Sequence, residues 1–329
     1  MTSVLMTGVP LPEASNLTLR SLTGRDAGIR GDVLTGLAGI PKRLPPKLFY
    51  DATGARLFQE LCATQAYYPT RLETGILSRC AEDLAHALGA GTAVIEPGAG
   101  EMRKIRLLLP ALRPRSYFAV DVSERQLFDE ARRLAEEYAQ LQVTALAGDF
   151  ADPRVQDQLS AAPGPRVLFF PGSTLGNFEP AAARDFLRAM RALTAPAGAC
   201  LIGIDLVKPQ EILERAYDDP EGITARFNLN VLTRINRELG ADFDLSAFAH
   251  RAFYDIRAQR VEMHLVSLRA QRVHVAGRTF HFEAGETIHT ENSYKYRPAQ
   301  FESLAREAGF PEAVRWSDPL EHFAVFLLR

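Results

Sequence analysis

Cysteine is scarce in this sequence. Cys62, Cys80 and Cys200 are its 3 thiols, an odd number with neither metal-ligand nor redox spacing. That argues against a disulfide framework, makes buried free thiols the expectation, and fits a reducing, cytoplasmic setting. Long apolar runs are missing as well. No stretch approaches the ~20 residues a membrane-spanning helix needs. The opening "MTSVLMTGVPLPEASNL" has no basic start and too short an apolar run for a secretory leader. Nor is there a surplus of one charge: 38 Lys and Arg oppose 40 Asp and Glu, for a formal net charge of −2. Without a clustered positive field, neither nucleic acid nor an anionic membrane is an expected partner. The 7 histidines have no metal-ligand spacing, so no metal is expected, and His264, His274 and His281 receive no role. Repeats and low-complexity segments are absent too.

What is present is a rhythm. "TAVIEPG" (92–98), "SYFAVDVS" (116–123), "QVTALAGDF" (142–150), "RVLFFPG" (166–172) and "GACLIGIDLV" (198–207) read as strands. Helical patterns separate them at 101–112, 124–141 (capped by Ser123), 153–161 and 180–194. Such alternation predicts a parallel, doubly wound α/β sheet with helices on both faces. Earlier, 41–61 reads as a Pro-rich turn entering a helix, and 67–89 as a helix ended by Gly89. After Val207 the rhythm changes. Residues 209–240 look helical, and 251–289 alternate like antiparallel strands, which predicts an inserted α+β lobe. A helix at 299–310 and a strand at 322–329 return to the first sheet. The expected division is 62–207 with 295–329 as one domain, and 1–61 with 208–294 as a substrate-binding lobe.

The chemistry-bearing residues gather at the predicted strand ends. Gly98 and Gly100 let the backbone approach a ligand at a helix N-terminus; a tight strand–helix turn would use them equally well. The third glycine of a dinucleotide fingerprint is replaced by Arg103, and no Walker lysine motif occurs. Asp121 lies about twenty residues on, where a carboxylate can accept from both ribose hydroxyls. Asp149 ends the next strand, able to accept from an adenine amino group, with Phe150 beside the ring. Together these describe a nucleoside-bearing cofactor without pyrophosphate, which S-adenosylmethionine satisfies. Lys104 is a candidate anchor for its carboxylate. In "RVLFFPGSTLGNFEP" (166–180), apolar residues give way to small hydroxyls (Ser173, Thr174), glycines and an amide. Gly172 permits close approach. Asn177 offers both donor and acceptors to an amino-acid substrate, or simply caps a helix.

Longer segments carry a resemblance. "YDATGARLFQEL", "AYYPTRLE", "GSTLGNFEP", "AYDDPEGITARFNLNVLTRINREL" and "TENSYKYRP" resemble the histidine Nα-methyltransferases of ergothioneine biosynthesis, from about residue 40 to the C-terminus. The resemblance implies a Rossmann-like class I methyltransferase fold and trimethylation of the α-amino group of L-histidine to hercynine, with S-adenosylmethionine as methyl donor. By that resemblance Tyr50 lies near the amino group and Tyr67 in the substrate pocket, the two catalytic candidates. Asn177 and Tyr217 hold the substrate carboxylate, Glu291 and Ser293 bind the imidazole, and Met263 makes an apolar contact. Gly98, Lys104, Asp121 and Asp149 fall on the cofactor side; Gly100, Phe150, Gly172 and Thr174 join the two sets by position. The chain departs from the family at Pro97 before Gly98 and at Glu101-Met102-Arg103 after Gly100.

The imidazole assignment has its own chemistry. A selective pocket needs a partner for each ring nitrogen, and Glu291 and Ser293, two apart on a strand, point the same way. A methyltransferase for another amino acid, such as tryptophan or a modified histidine, keeps the fold and changes the pocket. A nicotinamide oxidoreductase would need the missing glycine and a proton relay. A binding protein sensing histidine or the cofactor is the non-catalytic alternative. A monomer acting on a small molecule is expected.

Overall fold

The computed structural model describes residues 15–22 and 28–329. Most of the stretch read for a leader therefore lies outside the described residues. The strands are β1 (Leu17–Ser21), β2 (Lys42–Arg43), β3 (Ala93–Pro97), β4 (Ser116–Asp121), β5 (Gln142–Ala147), β6 (Arg166–Phe170) and β7 (Ala199–Asp205). They continue as β8 (Phe248–Asp255), β9 (Arg260–Ser267), β10 (Gln271–Val275), β11 (Arg278–Phe282), β12 (Thr287–Tyr294), β13 (Ala313–Ser317) and β14 (Phe323–Leu328).

Eight of these form one sheet in the order β1-β5-β4-β3-β6-β7-β14-β13. β14 runs antiparallel to both its neighbours, and the other pairings are parallel. The apolar runs explain this burial: β3, β7 and β14 are buried at every position, as strands covered on both faces must be. One core holds Leu77, Leu84, Ile105, Leu108, Leu127 and Leu134 from three helices against one face. A second holds Val155, Leu159, Leu187 and Phe301 against the other. Chain order reverses at β3, between β4 and β6, which is where open α/β sheets bind ligands.

The inserted lobe carries a four-stranded sheet, β2-β12-β9-β8, and the hairpin β10–β11. Its core includes Phe49, Leu57, Leu213, Phe227, Val231 and Met263. Three sequence expectations need amending. β1 belongs to the large sheet, paired with β5, although residues 1–61 were expected in the lobe. β13, an edge strand with mostly exposed residues, was not anticipated. The long helix ends at Glu137 rather than 141; Ser123 occupies its N-cap position without making a side-chain cap bond. Among the described residues no helix is long and apolar enough to cross a membrane.

Candidate active site

Parallel register brings the predicted strand ends to one edge. Pro97 pairs with Val120, and Asp121 with Ala147. The amides of Gly98 and Ala99 both donate to the Val120 carbonyl, at 2.8 and 3.1 Å. Gly98 and Gly100 have positive φ, 69° and 51°, which glycine adopts at little steric cost. Gly98 is exposed and a side chain there would meet open space, so the bare backbone is accessible. The Asp121 carboxylate accepts from Gly100 N at 3.1 Å and Ser123 N at 2.8 Å, which aims it along the edge. Asp149 is exposed, with one oxygen accepting from Ala151 N at 2.9 Å. Phe150 packs on Phe186, centroids 6.0 Å apart. A cleft of about 790 Å³ opens here, lined by Tyr50, Val122, Ser123, Gly148 and Asp149 among others. Gly98, Lys104, Asn177 and Glu291 do not line it.

Lys104 does not stand free. Its Nζ lies 2.5 Å from Glu73, whose carboxylate also accepts from Gly172 N at 2.9 Å. Glu73 comes from the helix Tyr68–Leu88 and is buried; sequence reasoning saw there only a helix, with Glu73 as the last residue of "AYYPTRLE". The Lys104 ammonium consequently sits 3.4 Å from where a Gly172 Cβ would be. The glycine turn and the end of β6 thus meet through one carboxylate.

Beyond β6 a short 3-10 helix, Thr174–Asn177, packs on β12. Thr174 is exposed and its hydroxyl donates to the Pro171 carbonyl at 3.1 Å, so it stabilises its own turn. Ser173, at φ 57°, accepts from Asp205 N at 2.9 Å. The Asn177 side chain makes no hydrogen bond among the described residues and is only partly buried.

The opposite wall comes from the lobe. Register shifts within β12 between His289 and Glu291, the signature of a bulge at Thr290. His289 pairs with His264, but Glu291 pairs with the next residue, Met263. Strict alternation would put His289 with Glu291; the bulge separates them. Met263, Glu291 and Ser293 share one face. His264, His289 and Glu262 share the other, where the two imidazole rings lie 4.8 Å apart. On the face shared with Met263 and Ser293 the Glu291 carboxylate has no hydrogen-bond partner among the described residues. Burial pushes it up to about 7, against the pull of Lys295.

Aromatic rings fill the space between. Tyr50 stands edge-on to Phe58 and Phe227, each at 5.7 Å, and Tyr67 to Phe58 and Tyr217 at 5.9 and 6.2 Å. Burial, with Glu291 among the nearby acids, raises both Tyr50 and Tyr67 above the ordinary phenol value. Tyr50 also lines the cleft at the strand ends, and its carbonyl accepts from Ser123 Oγ at 3.4 Å. Tyr217 and Ser293 are bonded to each other at 2.7 Å, and Lys295 donates to both, at 2.9 and 2.7 Å. Behind them lies a buried network that sequence reasoning missed. Asp205 pairs with Lys208 at 2.5 Å and Lys295 at 2.7 Å, and accepts from Tyr68 Oη at 2.8 Å. Lys295 was legible only as part of "TENSYKYRP"; Asp205 only as an acid ending an apolar strand.

A switch-point glycine turn, an acidic second strand end and an antiparallel last strand together define a class I methyltransferase sheet. The chain belongs to the histidine-specific, S-adenosylmethionine-dependent methyltransferases, whose family model matches residues 29–329. A histidine N-alpha-methyltransferase of Mycolicibacterium smegmatis is 40% identical over 307 residues, covering 91% of this chain and 94% of its own. One from Mycobacterium tuberculosis is 41% identical over 315 residues, covering 92% and 96%. Ergothioneine biosynthesis protein 1 of Schizosaccharomyces pombe is 27% identical over 301 residues, 87% of this chain and 39% of that longer protein.

Proposed function

We propose that this enzyme trimethylates the α-amino group of L-histidine to hercynine, as a cytoplasmic monomer serving ergothioneine biosynthesis. The observation that carries the substrate choice is Glu291: a half-buried carboxylate without a protein partner, two residues from Ser293 on one strand face. An unpartnered acid in a ring-lined pocket suits an imidazole N–H, because leaving it unmatched costs desolvation energy. A site built to hydrogen-bond a ring rejects rings that cannot pair, by up to ~10⁴–10⁵.

Gly98, Gly100, Lys104, Asp121, Asp149 and Phe150 would hold the cofactor, and the open space beside Gly98 supports that fit. When bound, S-adenosylmethionine supplies the activated methyl carbon. The protein's own work is orientation, which contributes up to ~7–11 kcal/mol. Asn177 and Tyr217 hold the carboxylate, Gly172 and Thr174 shape the turn that carries Asn177, and Met263 packs against the ring. Tyr50 and Tyr67 present the amine. Because burial keeps both phenols protonated at neutral pH, they act as hydrogen-bond partners and not as anionic bases. An amine near its own pKa is partly neutral already.

The test is incubation with S-adenosylmethionine and a panel of amino acids, read by mass spectrometry. Three methyl groups gained on histidine alone is the expected result. Preferred methylation of tryptophan or of a ring-methylated histidine would move the assignment to the alternative substrate. No methylated product at all would leave a binding protein.

A further inference from the structure

An ammonium has three hydrogens, and Lys295 has three partners. It is buried at 2% exposure, directly after β12. It meets Asp205 at 2.7 Å, Tyr217 Oη at 2.9 Å and Ser293 Oγ at 2.7 Å. Lysine cannot accept, so neither hydroxyl can give its hydrogen to it. Tyr217 and Ser293 are themselves 2.7 Å apart, so one donates to the other. Two hydroxyls own two hydrogens, and that bond consumes one. A single hydrogen remains for a ligand.

We propose that Lys295 is a positioning residue that holds Tyr217 and Ser293 as a one-donor pair, so that the imidazole of the substrate binds together with one extra proton. This rests on the histidine reading above. If Tyr217 gives the free hydrogen to the substrate carboxylate, Ser293 donates to Tyr217 and offers the ring only a lone pair. Ser293 then takes an N–H from the ring. At the other nitrogen, either the ring carries a second N–H facing ionised Glu291, or protonated Glu291 donates to a bare nitrogen. The two forms hold the same number of protons, and the proton belongs to the pair. Both hold one more than a neutral ring with an ionised Glu291.

The groups around Glu291 leave room for that proton. Lys295 acts on it from just beyond the end of its strand, and Tyr50, Tyr67 and Tyr217 from the other elements. Lys295 is already saturated, Tyr217 is committed, and Tyr50 and Tyr67 are assigned to the amine. None of them neutralises a carboxylate–imidazole contact by donating to the ring's lone pair.

The test is calorimetric titration with the trimethylated product, whose α-nitrogen has no proton to lose. Titrations run at about pH 8.5 in two buffers of different ionisation enthalpy, where a free imidazole is neutral. The full chain should take up about one proton per ligand bound. In Tyr217→Phe, Ser293 is released to donate to the ring. Uptake should fall toward zero while affinity weakens about tenfold for the lost carboxylate contact. Lys295→Met, which lets the two oxygens part, should lower uptake as well; should it fail to fold, Tyr217→Phe decides alone. Binding without proton uptake, or equal uptake in the full chain and Tyr217→Phe, overturns the proposal while leaving the histidine reading intact. Failure of both histidine and its trimethylated product to bind overturns the histidine reading and this inference with it.

Discussion

Glu96 shows what a single buried acid does to this protein. It is 2% exposed in β3 and accepts from Tyr117 Oη at 2.5 Å. Burial pushes its carboxyl from 4.5 up to about 8, outweighing the Tyr117 bond. The folded chain therefore binds this proton more tightly than the unfolded chain. Its favourable contribution is complete below about 4.5 and is lost as pH climbs through about 8. Glu96→Gln keeps an acceptor for Tyr117 and removes the titration. Its Tm should exceed that of the parent at pH 8 by about 2 °C or more, with the gap closing near pH 5; a gap that does not vary with pH would count against the buried-acid account. Asn177 is the opposite kind of residue, partly exposed and without a protein partner. Under the proposed assignment Asn177→Ala should raise the histidine KM about tenfold or more while changing kcat little. An unaltered KM takes Asn177 out of the pocket.

At the scale of elements, the 3-10 helix Thr174–Asn177 depends on its fit to β12. A Cβ at Gly176 would stand 2.8 Å from the Tyr294 carbonyl oxygen, and backbone cannot yield as a flexible side chain can. Gly176→Ala should push the turn away from β12, costing about 1–3 kcal/mol in chemical denaturation and weakening histidine binding more than cofactor binding. Equal loss of both ligands would mean the damage is general. The elements also differ in how plainly the sequence announced them. β3, β6, β7 and β14 are predominantly apolar strands of five to seven residues, and such strands between helical periods identify a sheet covered on both faces. β1 and β13 are short edge strands with largely exposed side chains. Their apolar faces are small, Leu17 and Leu19 in β1 and Trp316 in β13 packing only partly on the core, so the neighbouring strand supplies much of the reason for their extension. The bulge at Thr290 is equally silent: it breaks the alternation and puts His289 and Glu291 on opposite faces, yet nothing in the local residue pattern announces where the extra residue enters.

For the whole molecule, the decisive feature is the buried network joining the large sheet to the lobe. Asp205 ends β7, Lys208 follows it, Tyr68 begins a helix of the large domain, and Lys295 leaves β12. Burial alone would raise Asp205, yet the two ammonium groups hold it below the usual carboxylate value. Lys208 is brought down by burial to about 8, with Asp205 opposing. Asp205→Asn would leave two buried ammonium groups facing a neutral amide. Breaking a buried charge cluster in this way should cost about 3–5 kcal/mol in urea unfolding. A loss under about 1 kcal/mol would show that the lysines find other partners.

Local chemistry made several things readable from the chain: the parallel sheet, the inserted lobe, the glycine turn, Asp121 and Asp149 at their strand ends, and the long segments shared with the family. Each of these is set by neighbours a few residues away, through strand burial, turn geometry or an intact stretch of residues. Folding alone decided the rest. Glu73 reaches Lys104 and Gly172 from 31 and 99 residues away. Lys295 meets Asp205, and Thr290 turns Glu291 away from His289. Those outcomes depend on which distant groups are left without water and must find one another, and no window of sequence contains both partners.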